Sequence, residues 1–261
     1  MSVLETDFEA IRVEEPADYL GHIILDRPDK LNTISPQLME DLEEAVDALE
    51  TDDDFRTIYL TGAGEKAFSA GADLSGGGGG GADQSRRGHE VFGRLRESPM
   101  PVVAGIDGYC LGGGMELSMC ADLRVASESS EIGLPEHKRG LFPGWGGTQR
   151  LQRLIGEAPA KEIIFTAERF PAERLKELGF LTAVYPDDEF EERALEFAAD
   201  IASGPPIAQR LTKEIMHDGW GDLEHGLELE AEAFAELMTT QDAMEGIAAF
   251  AQDREPEFKG Q

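Results

Sequence analysis

The chain has 261 residues, a length that fits one domain or one domain with an appendage. Its composition, 41% hydrophobic and 29% charged, is typical of a folded globular protein. The 53 acidic and 23 basic residues give a formal net charge of −30. This balance disfavours nucleic acids and anionic membranes as partners, because phosphate contacts require clustered lysine and arginine.

The acidity also bears on the environment of the protein. Only seven of the 23 basic residues are lysines, and acidic residues crowd segments that we expect to be exposed, such as 40–54 and 186–192. Surface carboxylates keep a protein soluble where salt screens its charges. We therefore predict a protein of a high-salt cytoplasm, with an ordinary acidic enzyme as the alternative.

Neither a signal peptide nor a membrane span is predicted. The acidic start lacks the basic and apolar regions of a signal peptide, and no uncharged apolar run approaches the roughly 18 residues of a span. Cys110 and Cys120 lie in an apolar stretch and are expected to be small buried residues of a reducing compartment. A disulfide between them is the less favoured option. We expect a cytoplasmic protein.

Strand and helix patterns alternate through most of the chain. In chain order, they predict strands at Ile11–Val13 and Tyr19–Leu25, a helix beginning at Ser35-Pro36, a strand at Arg56–Thr61, a helix from Asp83 to Glu97, a strand at Pro101–Ile106, a helix at Gly112–Ala121 and a strand at Asp122–Ala126. Helical periodicity dominates from Gly147, and the last helices are predicted at Leu223–Met238 and Asp242–Phe250. The change near residue 200 predicts an α/β core over residues 1–200 and a helical region over 201–261.

The segment 66–74, KAFSAGADL, is the first candidate for a functional site. Small residues around Gly71 allow a ligand to approach the backbone closely, and free amides there can bind a developing oxyanion. An ordinary turn is the alternative.

The second candidate is the glycine-started helix at 112–121, whose first amides have no partner within the helix and attract negative charge. Glu116 lies in its first turn among apolar residues. A carboxylate stabilised by the helix dipole is the simpler interpretation. Burial of an unpaired carboxylate is costly, however, and would raise its pKa toward the range useful for acid–base catalysis, so we favour a functional role.

The third candidate is the segment 132–151, in which Pro135 forces an extended approach to Glu136. A single glutamate of this kind is usually solvated. The spacing alone does not place Glu136 opposite Glu116.

Together, KAFSAGADL, GGGME and LPEHKRGLFPGWGGTQRL, in this order and spacing, resemble the crotonase superfamily and specifically its enoyl-CoA hydratases. The resemblance is nearly full length. It implies an α/β fold, a crotonase-type spiral of ββα turns with two near-perpendicular sheets. It also implies a C-terminal helical region that forms either trimers or hexamers made of two trimers, with apolar faces at Leu223, Leu227 and Phe234 buried against neighbouring copies.

The resemblance assigns roles to individual residues. The amides of Ala72 and Gly113 would polarise the thioester carbonyl of an enoyl-CoA. Glu116 would activate water and Glu136 would deliver a proton, adding water across the 2,3 double bond. The implied CoA contacts are backbone groups at Ala70, Ala72 and Leu74 together with Phe258 and Lys259 from an adjacent subunit. We expect no metal and no cofactor, since the CoA is part of the substrate.

Two features depart from the superfamily pattern. The six-glycine tract Gly76–Gly81 replaces residues that usually line the acyl pocket, so the sequence does not indicate which acyl chain length the enzyme prefers. Trp145 stands where relatives commonly have a small residue. Packing in the core is favoured over narrowing of the pocket, because large aromatic side chains most often fill cores.

Three other functions compete with hydration. Δ3,Δ2-enoyl-CoA isomerisation needs only one carboxylate, and the presence of both glutamates favours hydration. An RNA-binding relative is disfavoured by the charge of −30. A structural protein on an abandoned enzyme fold is disfavoured because both glutamates and both glycine motifs remain.

Overall fold

The computed structural model describes residues 3–74 and 81–261. Within these two ranges, ten strands form two sheets. The larger sheet has the order β1-β2-β3-β5-β7-β10 and is parallel except for β1: β1 Ile11–Glu14, β2 Leu20–Leu25, β3 Thr57–Gly62, β5 Val102–Ile106, β7 Leu123–Ser127 and β10 Ala183–Tyr185. The smaller sheet has the order β4-β6-β8-β9 and is parallel except for β9: β4 Ala67–Ser69, β6 Tyr109–Leu111, β8 Glu131–Gly133 and β9 Arg169–Pro171.

Helices connect the strands and make up most of the chain after residue 186. The described helices are α1 Pro36–Glu50, α2 Gly81–Glu97, α3 Gly113–Ser118, α4 Gly147–Ile155, α5 Glu157–Thr166, α6 Ala172–Glu177, α7 Phe190–Ala202, α8 Pro206–Asp218, α9 Leu223–Leu237 and α10 Gln241–Gln252. Short 3-10 helices lie at Val3–Glu5, Pro28–Lys30 and Pro135–Arg139. Across the described ranges, no helix combines the length and apolar character that a membrane crossing needs.

The predicted α/β architecture with two sheets is confirmed, and apolar packing explains how its layers meet. In the main core, Leu42 of α1 and Phe92 of α2 pack with side chains from both sheets. The sheet residues include Leu60, Phe68 and Ile132. A second cluster lies on the other face of the larger sheet, where α7 covers it with small alanine side chains. The main core supports β4, β6 and the start of α3, so it fixes the segments singled out in the sequence.

Most long elements lie where the sequence predicts them, whereas short ones were missed. The first two strands and the helix after Ser35 are confirmed, and Ser35 Oγ accepts a hydrogen bond from Leu38 N at 3.1 Å, as an N-cap does. The strands β4, β6, β8, β9 and β10 were not predicted. Each has only three residues, too few to show a periodic pattern.

Three boundaries predicted from the sequence can be compared with the observed helices. The helix predicted at 112–121 ends at Ser118, because tight i→i+3 hydrogen bonds carry the chain through Ala121 instead. Of the predicted glycine tract, residues 76–80 lie outside the described residues, and Gly81 begins α2. The predicted domain boundary at residue 200 falls within α7 and stays a prediction. Both cysteines are buried and free, as expected.

Candidate active site

The loop 69–74 after β4 is fastened to residues 31–34. Three backbone hydrogen bonds of 2.9 Å tie them together: Ala70 N to Leu31 O, Ile34 N to Gly71 O, and Asp73 N to Ile34 O. Gly71 has a φ of +97°, which favours glycine, and the chain turns there. The amide of Ala72 donates to no acceptor within the described ranges, so it is available to a ligand.

Two polar side chains hold this loop and the strand β4 that precedes it. Arg27 Nη2 forms an ion pair with Asp73 Oδ2 at 2.9 Å, and both side chains are largely buried. Asn32 is completely buried and donates from Nδ2 to Ala63 O at 2.9 Å and to Ala67 O at 2.7 Å. Sequence reasoning missed both residues as parts of the site. The one available signal was the asparagine itself in an expected turn after Pro28, since asparagine tolerates the left-handed φ of +51° found here.

The three glycines at the start of α3 lie against three different neighbours. A Cβ atom would lie 2.9 Å from Glu136 Oε1 at Gly112, 2.5 Å from the Trp145 Cζ3 atom at Gly113, and 2.4 Å from Ser69 O at Gly114. All three distances are too short for a real side chain. Gly112 also has a φ of +54°, so its backbone conformation requires glycine as well.

The amide of Gly113 borders the same space as that of Ala72. Gly113 is the first residue of α3, and its N–H has no acceptor among the residues described. A carbon at its Cβ position would lie 3.4 Å from Ala72 N. Two unpaired N–H groups therefore lie close together beside the positive end of a helix, where they can bind a negatively charged oxygen.

Glu116 is buried in the first turn of α3 with only 2% of its surface exposed. Its Oε1 accepts hydrogen bonds from Trp145 N at 2.7 Å and Gly147 N at 2.8 Å. The pKa of Glu116 is raised to about 7, mainly by burial. The nearby Glu136 carboxyl group acts in the same direction, whereas the two backbone hydrogen bonds and Arg150 oppose the rise. The carboxyl group can therefore gain or lose a proton near neutral pH.

Glu136 lies in the 3-10 helix Pro135–Arg139 and points toward the start of α3. Its Oε2 is buried and has no hydrogen-bond partner among the described residues. Burial raises the pKa of Glu136 above the usual value of a glutamate, against the opposing effect of Arg139. The structure thus brings both glutamates to one end of α3, a proximity that the spacing in the sequence did not establish.

The predicted CoA contacts fall into two groups. Ala70 and Leu74 flank Ala72 in the loop, and Leu74 is exposed. In the single chain, Phe258 and Lys259 do not lie beside this loop. Phe258 O accepts a hydrogen bond from Arg56 Nη1 at 3.1 Å, and Arg56 directly precedes β3, whereas the loop follows the other end of that strand. The prediction concerned an adjacent copy, so it stays a prediction. Within the described ranges, no cluster of three or more His, Cys, Asp or Glu residues could hold a metal ion.

Comparison with known proteins identifies the family. The family model for enoyl-CoA hydratase/isomerase matches residues 17–261. A short-chain-enoyl-CoA hydratase of Clostridium acetobutylicum is 36% identical over 90% of this chain and 92% of that protein. A crotonyl-CoA hydratase of Syntrophomonas wolfei is 33% identical over 94% of this chain and 96% of that protein.

The fold agrees with the sequence similarity. The crystal structure of an enoyl-CoA hydratase from Bacillus anthracis superposes with a TM-score of 0.93 at 40% identity, covering 97% of this chain and all of that chain. The family model, the curated relatives and the solved structure each cover at least nine tenths of the chain. The chain belongs to the enoyl-CoA hydratase/isomerase family within the crotonase superfamily.

Proposed function

We propose that the protein adds water across the 2,3 double bond of a trans-2-enoyl-CoA thioester to give a 3-hydroxyacyl-CoA. The observation that carries this proposal is the meeting of two carboxyl groups, those of the buried Glu116 and the partly buried Glu136, with the two unpaired amides of Ala72 and Gly113. Relatives named as hydratases, at 33–36% identity over nearly the whole chain, support it.

The two amides act on the thioester. Attack on the β-carbon moves charge onto the thioester oxygen, and N–H groups already aimed at that oxygen stabilise the resulting enolate. Removal of one such donor in other enzymes costs about 3–4 kcal/mol of transition-state stabilisation. Ala72 and Gly113 supply two of them without reorganisation, because α3 and the fastened loop hold both amides in place.

The two glutamates divide the proton transfers. Glu116, held by two N–H donors, takes a proton from water as the oxygen of that water bonds to the β-carbon. Glu136, whose Oε2 has no hydrogen-bond partner among the described residues, acts in its protonated form and delivers its proton to the α-carbon. Transfer of the proton from Glu116 back to Glu136 restores both groups, so one water is consumed for each product formed.

The CoA part of the substrate is held by the loop beside the reacting carbons. Backbone groups at Ala70, Ala72 and Leu74 bind it, and Phe258 and Lys259 of a neighbouring copy complete the site. No cofactor is required, because CoA activates its own acyl group.

A CoA site completed by a neighbouring copy requires the chain to assemble, and we expect trimers or pairs of trimers. No residue of α9 is buried in the single chain, and large apolar side chains are exposed on α9 and α10: Leu223, Leu227, Phe234, Met238, Met244, Ile247 and Phe250. Exposed apolar area of this extent marks an interaction surface. The molar mass in solution, measured by light scattering in high salt, should be three or six times that of one chain, and a monomeric mass would contradict the assembly.

Glu116→Gln and Glu136→Gln test the mechanism. Each change removes one proton-transfer group and should lower kcat for hydration of crotonyl-CoA by about 10²–10⁴-fold. Binding of butyryl-CoA, which has no double bond to hydrate, should survive because the amides and the CoA contacts are untouched. Glu128→Gln, at an exposed glutamate between β7 and β8, is the matched control and should leave both quantities unchanged. Near-normal turnover in either site variant would refute the assignment.

The closest rival is isomerisation of a 3-enoyl-CoA, in which one carboxylate moves a proton and no water is added. Incubation with trans-2-enoyl-CoA in ¹⁸O-labelled water separates the two reactions. Hydration places the label in the product, whereas isomerisation leaves the product unlabelled.

A further inference from the structure

The indole ring of Trp145 lies between α2 and the start of α3. Only 8% of the residue is exposed. A Cβ atom would lie 2.3 Å from indole Cδ1 at Gly88 and 2.5 Å from Cζ3 at Gly113, so the ring is in contact with the backbone of both helices. Phe92, one turn after Gly88, meets the ring edge-on with the ring centroids 5.5 Å apart. The ring of Trp145 is thus packed in the core, as the sequence predicted, and its location also bears on the shape of the acyl pocket.

Gly88 shows that α2 is adapted to the indole. The residue is buried within the helix and its φ is not positive, so the backbone conformation does not require glycine. A glycine inside a helix is destabilising relative to alanine. The space next to Gly88 explains its presence, because any side chain there would overlap Trp145. At Gly93, in the same helix, a Cβ atom would lie 3.7 Å from Glu97 Oε1, which is an ordinary van der Waals contact.

The ring also borders the reacting centre. A single carbon at Gly113 would touch both indole Cζ3, at 2.5 Å, and Ala72 N, at 3.4 Å, so the ring stands one atom's width from the amide pair. The backbone of the same tryptophan donates to Glu116. The ring therefore closes the gap between α2 and α3 just beyond the carboxylates. An acyl chain that enters past Leu74 and Ala72 would extend into this gap.

We infer that Trp145 forms the end of the acyl pocket and restricts the enzyme to short-chain enoyl-CoA thioesters. The inference rests on the proposed hydratase function. A ring packed against two helix backbones has no room to retreat, because interiors are close-packed. One methylene that does not fit a pocket changes kcat/KM by about 10–200-fold.

Acyl-chain specificity of the wild type is the first test. We expect kcat/KM for trans-2-enoyl-CoA substrates to fall at least about tenfold between four and ten carbons. If the enzyme hydrates both chains equally well, the inference is overturned and the proposed function stands. If neither chain is hydrated, the proposed function falls, and binding of butyryl-CoA against decanoyl-CoA then decides the inference: equal affinities overturn it, and a tenfold preference for butyryl-CoA supports the pocket.

Trp145→Ala is the second test. Removal of the ring should raise the ratio of kcat/KM for the ten-carbon substrate to that for the four-carbon substrate by at least about tenfold. Trp220→Ala, at the other and exposed tryptophan, is the control and should leave the ratio unchanged. An equal loss for both substrates in Trp145→Ala would show that the ring only supports the fold. Should that variant fail to fold, Trp145→Phe applies the same criterion to the six- and four-carbon substrates.

The contact itself is tested through α2. Gly88→Ala should crowd the indole and lower kcat/KM for the four-carbon substrate, whereas Gly93→Ala should have no effect. In the Trp145→Ala background, Gly88→Ala should be tolerated, because the space next to it is then empty. An effect of Gly88→Ala that is the same with and without the indole would overturn the pairing.

Discussion

Opposing forces on the Glu116 carboxyl group determine its usefulness as a base. Burial disfavours the ionised form, and the Glu136 carboxylate nearby acts in the same direction. Hydrogen bonds from Trp145 N and Gly147 N favour the ionised form, and so does Arg150. The resulting pKa of about 7 means that neither protonation state is far in energy at neutral pH, which is what a group that takes up and returns a proton requires.

The raised pKa of Glu116 makes a prediction for stability. The folded protein binds this proton more tightly than the unfolded chain does, so the contribution of Glu116 falls as pH rises from 4.5, the ordinary value, to about 7. Glu116→Gln keeps an acceptor for the two N–H groups and removes the titration. Relative to the wild type, the variant should gain about 2 kcal/mol in unfolding free energy between about pH 5 and about pH 8.

Urea denaturation at fixed salt and protein concentration measures this difference. Glu128→Gln, at the exposed glutamate between β7 and β8, removes the same charge and should show no comparable gain. If Glu116→Gln and Glu128→Gln respond equally to pH, the carboxyl group of Glu116 is not perturbed by its surroundings.

The residues of the site divide into those that the sequence could indicate and those that it could not. Glu116 was identifiable because a lone carboxylate in an apolar turn behind three glycines is costly unless it has a use. Arg27 and Asn32 were not, because their role depends on contacts with Asp73, Ala63 and Ala67, which lie more than 30 residues away. A pattern along the chain contains no distances of that kind.

Among the elements, length and local signals decided what was predictable. α1 has a cap, a proline in its first turn and a buried apolar face, and each signal alone favours the same helix. The three-residue strands of the smaller sheet have none of these signals. β6 pairs with β4 and β8, which lie far from it in the sequence, so the pattern within one strand does not reveal its partners.

Helix α8 is joined to the core by a buried lysine that the sequence analysis did not single out. Lys213 Nζ forms an ion pair with Asp122 Oδ2 at 2.8 Å and donates to Leu95 O and Met100 O. Burial lowers the pKa of Lys213, and Asp122 opposes this effect. The ammonium group therefore links α8 with the end of α2, the approach to β5 and the start of β7.

Lys213→Met should destabilise the protein by about 3 kcal/mol, because it leaves buried carbonyl groups and the Asp122 carboxylate without their partner. Thermal and urea unfolding measure the loss. Lys161→Met is the matched control, since Lys161 pairs with Glu157 on an exposed face of α5 and such pairs contribute less than about 1 kcal/mol. Equal effects of the two changes would show that Lys213 does not hold α8 in place.

Across the whole molecule, most of the acidic side chains lie on the surface. The formal charge of −30 is spread over exposed helix faces and loops, and exposed ion pairs neutralise only part of it. Salt weakens both the attraction within these pairs and the repulsion among the remaining carboxylates. Because acidic residues exceed basic ones by 30, repulsion is the larger quantity, and its screening should stabilise the folded state.

We therefore predict that the Tm rises when KCl is increased from about 0.1 M, where the screening length is about 10 Å, to about 1 M, where it is about 3 Å. Neutralising Glu224, Glu228 and Glu232 on α9 by substitution with glutamine changes the net charge from −30 to −27 and should make the rise smaller. A variant with three exposed serine or threonine residues changed to alanine controls for the number of substitutions and should keep the full rise. A Tm that stays level or falls with KCl would remove the prediction of a protein adapted to high salt and leave an ordinary acidic enzyme.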